Sequence, residues 1–275
     1  MNDPYLYENS TVLKNLLGIT EEKELDIAEA ELSRANMMLL YENGFSDFSS
    51  NGIRFIHKEL FGDVYEWAGK FRIINIQKRE SILAGVSVWY SNSTDIERDL
   101  EKAWKRINKV DWAKLSKDAF AKKIARLFPA LWQVHPFREG NTRTIVMLIT
   151  LFAEHYGYYF DQELMSASAG YVRNSFVLAS QGEYSEYEHL EKYFVMQFLM
   201  SQSNIQAVRI QTLKNRKNTV MAIMCRQSTN ILSKSQSRKT AKNLSALNFY
   251  DAKVSLINLS CNKAALVFDC SSTWV

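Results

Sequence analysis

The sequence predicts an all-α domain carrying one small β-hairpin. Three observations point there. Only 10 Gly and 3 Pro occur among 275 residues, fewer than turn-rich β architectures need. Several windows space apolar residues by three and four, the pattern of one helix face. Hydrophobic residues make up 47% of the chain, so a sizeable core can form.

The elements follow in order. Asp26 to Leu40 reads as a helix with Ile27, Ala30, Met37 and Met38 on its apolar side. Ile53 to Phe61 is a second, ended by Gly62. Between Gly69 and Lys78 the pattern changes: Phe71 to Gln77 is rich in β-formers, which predicts a short hairpin. Thr94 and Glu97 have capping-box spacing, and Ile96, Leu100, Ala103, Trp104 and Ile107 then share a face. Ser116 can cap the next helix, which Pro129 should kink or shorten. The run Ile145 to Ala153 is apolar nearly all round and predicts a central buried helix, with Gly157 at its end. Ser166 to Leu178 and Glu188 to Met200 complete the domain.

The chemistry concentrates just ahead of that central helix, in His135-Pro136-Phe137-Arg138-Glu139-Gly140-Asn141-Thr142-Arg143-Thr144. A base, a carboxylate, a glycine, an amide and a guanidinium lead into a helix start. Free N–H groups and the positive dipole end make such a start attractive to phosphate. A histidine beside a phosphate cradle can take a proton from an attacking hydroxyl. These residues point to phosphoryl or nucleotidyl transfer. His57 reads as a packing residue, because Phe61, Tyr65 and Trp67 surround it in sequence.

The run His135 to Arg143 resembles the Fic/Doc signature H-P-F-x-[DE]-G-N-G-R. Ile56 to Arg72 is similar to a second stretch of that family, and Tyr5-Leu6-Tyr7 with Thr11 to Asn15 to a third. The resemblance covers roughly residues 5–195. It implies a Fic-type helical domain that moves AMP from ATP to a Ser, Thr or Tyr hydroxyl of a target protein. It makes His135 the general base, Glu139 the Mg²⁺ ligand, Gly140, Asn141 and Thr142 the phosphate cradle, and Arg143 the stabiliser of charge on the departing phosphates. Phe137 anchors the loop. Ile74, Asn75, Ile76, Gln77 and Lys78 form the flap that docks an extended target segment, and Ala84 lies near the nucleotide base.

The chain departs from the family pattern twice. Thr142 stands where the signature has Gly, and Val146 where it has a second arginine. Both changes loosen the expected phosphate clamp, which keeps transfer of UMP, phosphate or phosphocholine, or a nucleotide-binding interaction module, as competing expectations. No match to the inhibitory pattern [ST]-x-x-x-E-[GN] is found, since Leu25 follows Glu24, so no glutamate brake of the usual kind is expected. A separate antitoxin chain or a homo-oligomer remains as a partner.

Charge marks a boundary near Ser201. Residues 201–275 hold eleven Lys and Arg against two Asp and no Glu, and are rich in Ser, Asn and Gln. They read as a basic, partly disordered extension of a 1–200 catalytic domain. Nucleic acid is not the expected partner, because aromatics are rarely interleaved with its basic residues. Cys225, Cys261 and Cys270 lack metal-ligand spacing. No run is long enough for a membrane span, and Met1 to Pro4 lacks signal-peptide features. A cytoplasmic protein is expected, with export into a host cell left open.

Overall fold

In the computed structural model of this chain, residues 3–200 are described. The basic extension, its boundary at Ser201 and the three cysteines lie outside them. The elements, in order, are α1 (Glu22–Asn43), α2 (Ser50–Phe61), α3 (Ile96–Ile107), α4 (Lys117–Leu127), α5 (Pro129–Val134), α6 (Asn141–His155), α7 (Gln162–Ala167), α8 (Ala169–Leu178) and α9 (Glu188–Met200). No helix among the described residues is long and apolar enough to cross a membrane.

Helix α6 is the axis of the domain. Its residues from Thr144 to Ala153 are all buried, and its two threonines there bond back to carbonyls one turn earlier, Thr144 to Gly140 and Thr150 to Val146. Around it, α2 and α5 make direct contact, α1 packs on α2, and α4 pairs with α9. Trp112, Phe120, Phe128 and Phe152 form an edge-to-face aromatic cluster under α6. Each such buried ring contributes about 2–3 kcal/mol through the area it removes from water.

Local chemistry explains the helix ends. Ser49 accepts from the N–H groups of Asn51 and Gly52, and Ser116 from that of Ala119. Pro129 occupies the first position of α5, where its missing N–H costs nothing, so the expected kink becomes a break between two helices at Phe128. The Thr94–Glu97 capping box does not form. The N-cap is Asp95, which puts Glu97 one position too early to reach back. The predicted helix over Ser166 to Leu178 is interrupted at Ser168.

Two further expectations need correction. The buried face of α1 is not Ile27, Ala30, Met37 and Met38: Ile27 is 61% exposed. The inward stripe is Leu25, Glu29, Leu32, Ser33, Asn36 and Leu40, whose polar members have partners in the interior. The hairpin is also absent. From Ile73 to Glu80 burial alternates residue by residue, as in an extended strand, and the chain reverses through a 3-10 turn at Ser81–Leu83. No β-ladder closes among the described residues; an isolated bridge joins Leu6 and Leu13. Tertiary anchors hold this flap instead: Arg72 takes the Ile74 carbonyl, and the Asn75 side chain accepts from the Ser93 N–H.

Candidate active site

The loop between α5 and α6 is built around two left-handed residues. His135 ends α5 at φ 50°, and Gly140 precedes α6 at φ 78°. A Cβ on Gly140 would stand 2.4 Å from the Phe61 ring, so conformation and space both require glycine there. The loop locks itself through Asn141, whose side chain accepts from the Phe137 N–H and donates to the Phe137 carbonyl, both at 2.9 Å. The Asn141 oxygen and one of its two amide N–H groups are thus used inside the loop. Phe137 is fully buried and stacks on His57 with centroids 3.7 Å apart.

His57 is a structural tie, as expected. Its Nδ1 accepts from the Gly69 N–H at 2.9 Å, which leaves Nε2–H to donate to the Glu139 carbonyl at 3.0 Å. Burial is the main cause that pushes its pKa down to about 3.

His135 is only 2% exposed, and neither ring nitrogen has a hydrogen-bond partner among the described residues. Burial first, and then the positive charge of Lys78, hold its pKa well below the usual histidine value. The ring is neutral at physiological pH and able to accept a proton. Its backbone is set by Arg72, whose Nε donates to the His135 carbonyl at 2.9 Å and whose N–H donates to the Pro136 carbonyl at 2.9 Å.

Glu139 faces the same cavity. Burial opposes its ionisation, but Lys78, 2.9 Å from Oε2, and the Gly140 N–H, 3.1 Å from Oε1, outweigh it and hold the carboxylate pKa at about 2. Beside it the N–H groups of Asn141, Thr142 and Arg143 open α6 and have no acceptor inside the helix. Thr142 Oγ1 accepts from Trp132 Nε1 at 2.9 Å. Tryptophan can only donate, so the threonine keeps its own proton for another acceptor. Arg143 is not free: Ser33 Oγ accepts from it at 2.8 Å, it is paired with Glu29, and it lies over the Phe61 ring. Glu29 also accepts from the Tyr65 hydroxyl.

Lys78, His135, Glu139, Gly140, Asn141, Thr142 and Arg143 all line one cavity of about 360 Å³. Ile74, Asn75, Ile76, Gln77 and Ala84 do not. Ala84 is exposed at the end of the 3-10 turn, so the expected base contact has no support in its position. Val146 is 6% exposed within α6, where an arginine would have to bury its charge. Sequence reasoning gave no part to Arg72, Tyr90, Trp132, Glu29 or Arg173. Arg72 lay inside the matched stretch and Trp132 three residues before His135, but neither carries a signal of what it touches.

The two buried histidines give a prediction. Each titrates near 6.5 when unfolded and lower when folded, so each adds stability that is complete above about pH 6.5 and declines as pH falls below it. The slope is about 1.4 kcal/mol per pH unit and histidine. Glu139 acts only below its ordinary value of 4.5. Urea unfolding at pH 7.5 and pH 5 is expected to differ by about 2–4 kcal/mol from these groups, and His57→Gln to narrow the gap.

Comparison with known proteins agrees with this geometry. The sequence profile of the Fic/DOC family matches residues 47–153. A Sinorhizobium fredii protein named "Probable protein adenylyltransferase y4lH" is 32% identical over 164 residues, covering 59% of this chain and 81% of that protein. The protein adenylyltransferase VbhT of Bartonella schoenbuchensis is 33% identical over 187 residues, covering 65% of this chain but only 38% of VbhT. The N-terminal Fic domain of a VirB-translocated Bep effector from Bartonella quintana, solved with bound ADP, superposes with a TM-score of 0.60 at 26% identity, covering 70% of this chain and 90% of that one. A signature loop folded onto the start of a buried helix, within a helical domain shared with these relatives, identifies the chain as a member of the Fic/DOC family.

Proposed function

We propose that this chain is a protein adenylyltransferase that moves AMP from ATP to a hydroxyl of a target protein. The observation that carries the reading is His135: a buried, neutral imidazole with unpaired nitrogens, on the same cavity as an ionised carboxylate and an open helix start. A buried unpaired ring nitrogen needs a partner, and a hydroxyl entering the cavity supplies one. His135 takes the proton of the Ser, Thr or Tyr hydroxyl. The oxygen forms a bond to the α-phosphorus, the bond to the β-phosphate bridge breaks, and pyrophosphate leaves.

The opening N–H groups of α6 hold phosphate oxygens. One ionised carboxylate, with phosphate oxygens as the remaining hard ligands, fits Mg²⁺, and Glu139 would hold it. Bound there, the ion neutralises phosphate charge. Arg143 adds positive charge from the cavity wall. The flap from Ile74 to Lys78, extended and without a partner strand, pairs with an extended target segment by strand addition.

Thr142 serves as a phosphate donor through the hydroxyl proton that Trp132 leaves free. Thr142→Val keeps the shape and loses the donor. It is expected to weaken ATP binding by about tenfold, the equivalent of one lost hydrogen bond, with Thr142→Ser near wild type. Titration calorimetry with Mg-ATP checks this.

The reaction itself is tested by intact-mass analysis of a lysate incubated with the protein and Mg-ATP, Mg-UTP or CDP-choline. An added AMP mass on a target, only with ATP, is the expected result. A different adduct, or none despite measurable ATP binding, would rule the reading out.

A further inference from the structure

A second carboxylate is buried beside the site, and the proposed chemistry does not use it. Glu80, at the far end of the flap, is 0% exposed. Its Oε1 accepts from the Tyr90 hydroxyl at 3.1 Å, and Nη1 of Arg173, from α8, stands 2.8 Å from Oε2. A carboxylate fully removed from water is costly unless paired, so the sequence supports this one from two sides.

What the arrangement holds in place is the Tyr90 ring. That ring stacks on His135 with centroids 4.1 Å apart and planes 29° from parallel. Trp132 meets the imidazole edge-on, at 5.1 Å and 85°. No hydrogen bond from the described residues fixes the His135 ring, in contrast to His57, which is tied at both nitrogens. The imidazole is oriented by two aromatic surfaces and by its backbone.

We infer that Tyr90 is a positioning residue for His135, and that Glu80 and Arg173 hold Tyr90 in its working orientation. The inference rests on the transferase reading for its effect on rate. The physical stake is geometric, because a base displaced by about 1 Å can lose on the order of 100-fold in rate without any change in the ligands it serves. Tyr90 touches the base and not the nucleotide cradle, and it does not line the cavity. Its loss therefore acts on kcat and leaves ATP binding alone.

The test uses Tyr90→Leu, which removes the aromatic face, and Tyr90→Phe, which keeps the face and loses the bond to Glu80. Tyr90→Leu is expected to lower kcat by about 10–100-fold with the ATP dissociation constant within threefold of wild type. Tyr90→Phe should recover most of that loss, and Glu80→Gln, which leaves Arg173 without its counter-charge, should fall between them. A second readout does not depend on transfer. The ring Hε1 resonance of His135, assigned by its disappearance in His135→Ala, should be shifted by the Tyr90 ring current and should move in Tyr90→Leu.

Wild-type kcat in Tyr90→Leu, equal losses in the Leu and Phe variants, or a parallel loss of ATP binding would each overturn the inference. So would an Hε1 resonance that does not move. If the resonance moves as expected but wild-type protein transfers no AMP, the positioning stands and the transferase reading falls.

Discussion

His135→Ala is expected to lower kcat for AMP transfer by about 10²–10⁴-fold, the range general-base catalysis supplies, while Mg-ATP binding stays within a few-fold of wild type. The two should separate because the phosphate groups are to be held by α6 and its flanking side chains, whereas the histidine faces the incoming hydroxyl. Its depressed pKa adds a pH signature. The base works only when neutral, so activity is lost as pH falls through the folded value. Burial and Lys78 set that value well below 6.5. The acid limb of kcat/KM in the wild-type enzyme should therefore lie below pH 6.5, and rate measurements between pH 5 and 8 that show no limb at or above 6.5 check the assignment. A limb at or above 6.5 would show that the imidazole is wetter than its 2% exposure allows.

Arg72→Leu should have the second largest effect, and on stability as well as rate. The Arg72 side chain is 2% exposed, and burial pushes its pKa down to about 10. It faces no carboxylate among its hydrogen-bond partners. Instead its guanidinium donates to the carbonyls of His135 at 2.9 Å, Ile74 at 2.6 Å and Ser91. Leucine would leave the buried His135 carbonyl and the half-buried carbonyls of Ile74 and Ser91 without this donor, and the half-buried pair lies at the low end of the cost. At about 1–3 kcal/mol for each unsatisfied group, the expected loss is about 3–5 kcal/mol of unfolding free energy. The left-handed backbone at His135 would also lose the side-chain bond to its carbonyl. Denaturant melts combined with kcat at a temperature where the variant remains folded separate the two effects. Arg72→Lys should recover little, because one ammonium cannot span three acceptors set in a fork.

The helical framework was legible because it obeys period and punctuation. Ser116, Pro129 and the apolar run of α6 are local signals, and each acts where it stands. The signature loop was legible as a motif, and the cavity gathers His135, Glu139, Gly140, Thr142 and Arg143 as that motif led one to expect. What escaped reading is long-range. The inward face of α1 turned because Glu29 and Ser33 reach Arg143 more than a hundred residues away, and no periodicity encodes that demand. The flap looked like a hairpin because its residues favour strands, but it is held by Arg72 on the Ile74 carbonyl and by Ser93 on the Asn75 side chain, and no second strand pairs with it among the described residues. Asn141 seemed aimed at phosphate, since type and position were right. Its amide has a second duty that the motif does not announce, as the staple of its own loop.

The guanidinium of Arg72 touches both feet of the flap, Ile74 and Ser91, and the backbone carbonyl of His135. On the proposed function, a single buried side chain is then a common datum for recognition and chemistry. If the flap docks the target as proposed, the residues between those feet can change in length of reach, charge or shape, and with them the choice of protein bound, while the hydroxyl is still delivered at the same standoff from the imidazole. Specificity is free to drift in such an architecture because the ruler that measures distance to the reaction is kept inside, out of reach of the surface that does the choosing.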